Sequence, residues 1–157
     1  MPKYLSIALA IVILLFGGWY FFYAMPAQAP TVNTGTGIKP GTGDYTYTNA
    51  SGDTILVDTP QPSQTVGKAF DISGKARGPW YFEATFPVEV QDKDGKVIGQ
   101  NHANANGDWM TNEFVPFTAT ITLAKNYVGP ATLILKKDNP SGESANDASV
   151  SFPIVIQ

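Results

Sequence analysis

The sequence predicts an all-β domain behind a single membrane-spanning helix. Residues 4–24 form one uncharged apolar run, and residues 25–53 are rich in Thr, Gly and Pro without apolar periodicity. From Thr54 onward, short runs alternate apolar and polar side chains between turn-forming residues. Alternation at every second position is typical of half-buried strands, and no helical period follows Thr54. The sequence therefore predicts an anchor over residues 1–24, a flexible linker over 25–53 and a β-domain over 54–157.

The apolar run is long enough to cross a bilayer. As a helix, residues 4–24 would measure about 30 Å, which matches the hydrocarbon core. Trp19, Tyr20 and Tyr23 are suited to the outer interface, where aromatic side chains form a belt. The alternative is a secretory signal peptide, because Ala-Gln-Ala at 27–29 resembles a cleavage site. The length of the run favours a retained anchor.

Basic residues near the run predict its orientation. Lys3 stands on the N-terminal side, whereas the first basic residue beyond the run is Lys39. Because cytoplasmic flanks carry the excess of Lys and Arg, we expect the N-terminus in the cytoplasm. The sequence thus predicts a single-pass protein of the cell membrane whose C-terminal domain is extracytoplasmic.

The segment 25–53 contains too few apolar residues to build a core. As a flexible coil it would span about 30 Å on average and would hold the domain away from the membrane. Within it, Asp-Tyr-Thr-Tyr-Thr at 44–48 alternates, which leaves a short strand as an alternative to coil.

Seven runs after Thr54 have the length and alternation of strands. In one of them Phe117, Ala119 and Ile121 fall on one face, and threonines fall on the other. Prolines inside the runs cannot donate a ladder hydrogen bond, so we expect them at edges or bulges. Short strands between turn signals predict an immunoglobulin-like antiparallel sandwich of about seven strands. The runs are TILVDTP, KAFDISGKA, RGPWYFEATFPVEV, KVIGQNHA, FVPFTATITL, ATLILKK and SVSFPIVI.

The third run, residues 77–90, places a glutamate among aromatic side chains. Alternation predicts one continuous strand in which Trp80 and Phe82 face the core and Glu83 faces outward or an edge. A structural Glu83 would pair with Arg77 or with a backbone amide.

A catalytic role for Glu83 is the alternative interpretation. General acid–base chemistry needs a second titratable group, and Asp92 and Asp108 are the candidates. The alternative function is therefore a cell-wall polymer hydrolase with Glu83 as general acid, which requires carboxyl groups about 5–10 Å apart.

We expect no cofactor and no metal site. The single histidine, His102, is interpreted as an exposed strand residue, because zinc needs three or four ligands. The run from Asp92 to Gly95 begins like a calcium loop, but Ala103 stands where the loop needs glutamate. A hairpin turn with Gly95 at positive φ is predicted instead. The acidic loop 138–147 is interpreted as a turn rather than a weak calcium site.

Charge and cysteine content exclude further functions. The chain carries a net charge of −3 and no Cys. Nucleic-acid binding needs a clustered basic patch, so we expect no nucleic-acid partner. Without disulfides, the domain depends on its own hydrophobic core.

Aromatic and apolar residues beside turns form the candidate binding surface. Asn106-Gly107 is a strong turn signal, and an aromatic residue and a methionine follow it closely. Such side chains anchor protein interfaces and also stack on sugars, so an envelope protein or a cell-wall glycan is the expected partner. The predicted surface comprises Trp80, Tyr81, Glu83, Trp109 and Met110.

Three motifs carry a family resemblance. They are SGKARGPWYFEATFPVEVQDKDGKVI, then NGDWMTNEFVPFTATI, then LILKKDNPSG with the closing VSFPIVI. In this order they resemble the bacterial spore germination immunoglobulin-like domain over about residues 54–157. The resemblance implies an exported, anchored β-sandwich without catalytic residues and without an established ligand. The motif positions are Gly74, Ala76, Trp80, Phe82, Glu83, Phe86, Pro87, Trp109, Met110, Phe114, Pro116, Phe117, Ser141 and Gly142.

The sequence therefore predicts a membrane-anchored extracytoplasmic module that is non-catalytic and binds or scaffolds other components of the cell envelope.

Overall fold

A computed structural model describes residues 44–157, which form nine β-strands, two single 3-10 turns and no α-helix. The all-β expectation is confirmed. The 3-10 turns are Gly78–Trp80 and Ser144–Asn146. The strands are β1 (Thr46–Thr48), β2 (Ile55–Thr59), β3 (Thr65–Val66), β4 (Ala69–Arg77), β5 (Thr85–Asp92), β6 (Val97–Ala105), β7 (Phe114–Thr122), β8 (Gly129–Lys136) and β9 (Ser149–Ile156).

The predicted membrane span, residues 4–24, lies outside the described residues, as does most of the predicted linker. Within 44–157 no helix has the length and hydropathy needed to cross a membrane.

The strands form one curled sheet in the order β1-β9-β8-β5-β6-β7-β4-β2. Neighbouring strands are antiparallel, except that β3 pairs with β9 in parallel. The sheet turns at β6, which pairs with β5 along most of its length but with β7 only at Asn104 and Ala105. The two halves of the sheet therefore face each other across one core.

Alternating apolar side chains fill that core. On β7, Phe117, Ala119 and Ile121 are buried while the threonines between them are exposed, as the sequence predicts. The rings of Phe86 on β5 and Phe117 on β7 meet edge to face with centroids 5.0 Å apart. Among residues 44–157 no charged or polar residue is buried. Hydrophobic burial, at about 25 cal/mol per Å² of apolar surface, is thus the main stabilising contribution.

The prediction of one continuous strand from Trp80 to Val90 is wrong in its first half. The chain makes a 3-10 turn at Gly78–Trp80 and a tight turn at 82–85, and β5 begins only at Thr85. Pro79 fixes φ and lacks an N–H, which suits the start of the 3-10 turn and interrupts a ladder. As a result Trp80 is buried as expected, but Phe82 is 43% exposed.

Two short strands were not among the seven predicted runs, and both pair with β9. β1 lies inside the predicted linker and pairs with residues 149–151, while β3 pairs with 155–156. The alternative of a strand within 44–48 is therefore what the structure contains. Pro153 lies on β9 between the residues that pair with β1 and those that pair with β3, at a position where no ladder needs an N–H donor. Its carbonyl accepts a 2.7 Å hydrogen bond from the Ser63 N–H.

Gly74 allows the core of this sheet to close. A Cβ at Gly74 would collide with the Leu56 carbonyl oxygen and would stand 2.7 Å from Cζ of Phe117. The missing side chain thus lets the Phe117 ring lie against β4 while it also packs against Phe86.

We predict that Gly74→Ala lowers the free energy of unfolding by roughly 1–3 kcal/mol, because β2 or Phe117 must move to make room. Urea unfolding followed by tryptophan fluorescence measures the loss. Gly67→Ala is the matched control, since its new Cβ would find its nearest neighbour, the Ala69 carbonyl oxygen, at 3.7 Å. Equal unfolding midpoints for the two variants would contradict this packing.

Candidate functional site

Several chain connections meet at one end of the sheet, which we call the loop end. It contains residues 49–54, 78–84, 106–113 and 137–148. The register places them together, because Arg77 pairs with Phe114 on the neighbouring strand and the Arg77 N–H donates to the Thr54 carbonyl. All five residues of the predicted binding surface lie at this end.

Trp80 and Tyr81 are at the loop end, but their rings are buried. Their exposed fractions are 3% and 4%, and both rings pack against Phe86 with centroids 6.3 and 5.2 Å away. The Tyr81 hydroxyl donates a 2.7 Å hydrogen bond to the Val115 carbonyl. These two residues therefore fix the 78–84 connection to the core and do not present a ring face to solvent.

Trp109 and Met110 lie next to them on the 106–113 connection. Trp109 is half-buried, whereas Met110 is 77% exposed. With Tyr81 they line a shallow, open depression of about 300 Å³, which we call the apolar depression. Its lining is completed by Gly78, Pro79, Thr111 and Asn112.

Gly78 permits the close contact between the two connections at this depression. A Cβ at Gly78 would collide with the Thr111 carbonyl oxygen and would stand 2.5 Å from that of Trp109. The Gly78 N–H also donates to the Glu113 carbonyl. The 3-10 turn and the 106–113 connection are thus held backbone to backbone.

Glu83 lies apart from this contact, in the tight turn between Phe82 and Thr85. The turn is closed by two 3.0 Å backbone hydrogen bonds between Phe82 and Thr85, and Glu83 and Ala84 adopt φ values of 49° and 65°. Both central residues at positive φ is the geometry of a type I′ turn, which normally favours Asn or Gly. Glu83 is exposed, and its carboxylate makes no hydrogen bond within residues 44–157.

The predicted pairing of Glu83 with Arg77 is wrong. The Arg77 side chain donates instead to the carbonyls of Asp53 and Asn112, at 3.0 and 3.2 Å, and its Nη1 lies 3.5 Å from a Glu113 carboxylate oxygen. The guanidinium also stacks on the Phe114 ring, 4.2 Å from its centroid. The 3-10 turn between Arg77 and Glu83 prevents the two from being strand neighbours.

The carboxylate pair required by a hydrolase does not form between Glu83 and Asp92. Asp92 ends β5, whereas Glu83 precedes its first residue, so the length of the strand separates them by about 23 Å. This is well beyond the roughly 5–10 Å that the chemistry requires. Asp108 is at the loop end, where its Oδ1 accepts a 3.0 Å hydrogen bond from the Met110 N–H.

The residues that begin like a calcium loop form a hairpin turn instead. Oδ1 of Asp92 accepts from the N–H groups of Asp94 and Lys96, both at 2.9 Å, and Gly95 has φ of 78°. The predicted hairpin is therefore confirmed. His102 is exposed on β6, and residues 44–157 contain no group of three His, Cys, Asp or Glu able to hold a metal.

A second concavity at the loop end, of about 410 Å³, was not predicted; most of its surface is apolar, and we call it the polar cleft after the charged side chains in its lining. Its walls come from separate segments that meet only in the folded chain, so no local sequence pattern reveals it. It shares Pro79 and Asn112 with the apolar depression. Its other lining residues are Asn49, Thr54, Arg77, Trp80, Lys137, Ala145, Asn146, Asp147 and Ala148.

The sequence comparison agrees with this architecture. Residues 54–144, more than half of the chain, match the family described as the immunoglobulin-like domain of bacterial spore germination. The chain belongs to this family. The resemblance inferred from the three motifs is thus confirmed for this stretch, which includes β2 to β8 and both concavities except for Asn49 and residues 145–148. No curated protein matches the chain.

Membership of the spore germination immunoglobulin-like family indicates a generally non-catalytic kind of module. The strand β9 follows the matched stretch, yet it pairs with β8 along its whole length and supplies buried residues such as Phe152 and Ile154. The folded unit is therefore larger than the family match at both ends.

The burial of Tyr81 predicts that the folded protein becomes less stable at alkaline pH. Burial raises the pKa of Tyr81 to about 12. The native state then holds this proton more tightly than the unfolded chain, whose tyrosines titrate near pH 10. The contribution is complete below about pH 10 and is lost as the pH rises towards 12. Burial also raises the pKa of Tyr45 to about 12, with Tyr47 and Asp58 adding to the effect.

We therefore expect Tyr81→Phe to flatten the fall in unfolding free energy between pH 10 and 12, by up to about 1.4 kcal/mol per pH unit. At pH 7 the same variant should be less stable by about 1–3 kcal/mol, because the Val115 carbonyl loses its donor. Urea unfolding at several pH values measures both effects. A Tyr81→Phe protein that kept the full alkaline slope would show that Tyr81 titrates as it does in the unfolded chain.

Proposed function

We propose that the protein is a membrane-anchored, extracytoplasmic and non-catalytic module that binds another protein of the cell envelope through the apolar depression. The observation that carries the proposal is Met110, which is 77% exposed beside Trp109 and Pro79. Methionine adapts its shape to a partner, and exposed apolar groups that line a concavity are typical of interaction sites.

A protein partner is favoured over a glycan by the burial of the aromatic rings. Sugars stack on exposed ring faces, but Trp80 and Tyr81 pack into the core and Trp109 is half-buried. What the depression offers instead is a thioether, a proline ring and backbone carbonyls. These groups suit an apolar side chain of a partner protein with polar contacts at the rim.

The anchor and its orientation are supported by the sequence. The uncharged run 4–24 and the basic Lys3 before it favour a single span with the domain outside. The absence of a carboxylate pair between Glu83 and Asp92, together with the family match, favours a binding module over a hydrolase.

Crosslinking on intact cells tests location and surface together. Cells that produce the tagged full-length chain are treated with a membrane-impermeant, amine-reactive crosslinker, and the tagged products are separated by mass. We expect a discrete product of higher mass that contains one partner protein. Met110→Ser should reduce it by about fivefold or more, because loss of a central interface residue costs over about 1 kcal/mol.

Val128→Ser is the matched control, because Val128 is 76% exposed but lies between β7 and β8 at the opposite end of the sheet. It should leave the product unchanged. If no product forms, the extracytoplasmic location or the protein partner is wrong. If both variants reduce the product equally or not at all, binding does not use the apolar depression. If purified wall glycan then retains the chain, the partner is a glycan and not a protein.

A further inference from the structure

The polar cleft combines an unsatisfied donor with two cations. Trp80 is the one buried residue among its lining residues and therefore forms its floor. The indole Nε1 of Trp80 is shielded from solvent and has no hydrogen-bond partner among the described residues. A buried donor without an acceptor costs about 1–3 kcal/mol, so an acceptor that reached this N–H would add stability.

Arg77 lines the cleft, and its guanidinium is fixed by several contacts. Its Nε and Nη1 donate to the Asp53 and Asn112 carbonyls, and its plane rests on Phe114. These contacts fix the guanidinium and leave Nη2 without an assigned partner within residues 44–157. The exposed Glu113 carboxylate, 3.5 Å from Nη1, shows that the guanidinium already attracts a carboxylate on its solvent side.

Lys137 supplies the second positive charge. Its Nζ makes one long contact, 3.5 Å to the Asn146 carbonyl. Among the described lining residues Asp147 is the only acidic one, and its Oδ1 accepts a 2.7 Å hydrogen bond from Asn139. The lining residues therefore carry a net charge of about +1, before the exposed Glu113 carboxylate beside Arg77 is counted, in a chain whose net charge is −3.

We propose that the polar cleft binds a carboxylate carried by a peptide. Guanidinium and ammonium groups bind carboxylates through charge-assisted hydrogen bonds, and the indole N–H can only donate, so all three select an acceptor. A volume of about 410 Å³ is within the range of ligand sites and accommodates a few side chains. The proposal rests on the proposed function and adds to it a second site, next to Pro79, that binds an acidic segment of the partner protein.

Titration of the isotope-labelled full-length chain with short peptides, in detergent micelles, tests this proposal. The readout is the ¹H–¹⁵N resonance of each indole, and the three tryptophans are assigned with Trp19→Phe and Trp109→Phe. The probes are N-acetyl-Ala-Ala with a free carboxylate, the same peptide as an amide, and N-acetyl-Ala-Glu-amide. The first and third probes distinguish a terminal carboxylate from a side-chain one, and the second is the neutral control.

We expect at least one of the carboxylate peptides to shift the Trp80 resonance, more strongly at low salt, and the neutral amide to leave it unchanged. Lys137→Gln should weaken the binding about threefold or more, whereas Lys125→Gln, an exposed lysine at the opposite end, should not. A shift that the amide reproduces, a shift confined to Trp109, no shift at all, or equal affinity for Lys137→Gln would each overturn the proposal.

These outcomes are independent of the crosslinking result. Failure of the peptides to bind leaves the apolar depression and the protein partner untouched, and loss of the crosslinked product leaves the carboxylate titration interpretable by itself.

Discussion

The packing of Tyr81 against Phe86, which in turn packs against Phe117, is the interaction on which the loop end depends. The rings of Tyr81 and Phe117 both contact Phe86, and the Tyr81 hydroxyl donates a hydrogen bond to the Val115 carbonyl on β7. Aromatic pairs contribute about 0.5–1.5 kcal/mol beyond their burial, and a satisfied buried hydrogen bond contributes a similar amount. One residue of a loop is thereby tied to both halves of the sheet.

This anchoring determines what the loop end offers to a partner. Because Trp80 and Tyr81 point into the core, the 3-10 turn leaves Pro79 on the surface with a concavity on each side. One concavity has Trp109 and Met110 in its lining, and the other has the charged side chains of Arg77 and Lys137. Two chemically different sites thus share one rigid turn, which suits a module that recognises a partner by an apolar contact and a charged contact together.

Much of the fold could be predicted from the sequence, because in long strands the alternation of apolar and polar residues shows which face is buried. The phase of β7 and β9 is correct along the whole strand, since one face of each is fully buried. Alternation misleads in residues 77–84, where Trp80 and Phe82 continue the pattern by coincidence while Pro79 starts a turn. The strands β1 and β3 have three and two residues, and pairing with β9 rather than local preference forms them.

The candidate site was harder to predict than the fold. Trp109 and Met110 follow a turn signal in the sequence, and the structure places both at the loop end. The turn signal gave no information about which rings are buried there. The polar cleft joins Arg77, Lys137 and residues 145–148, which are far apart along the chain. Only the register of β4 with β7 and of β8 with β9 brings them together.

The most direct test of this account is the pattern of nuclear Overhauser effects from the aromatic rings of residues 80–82. The structure predicts strong effects between the ring protons of Tyr81 and Phe86, effects between Trp80 and Phe86, and none between Phe82 and Phe86. A continuous strand would instead turn Phe82 inward and Tyr81 outward. Effects from Phe82 to the core, with none from Tyr81, would contradict the anchored turn and both sites built on it.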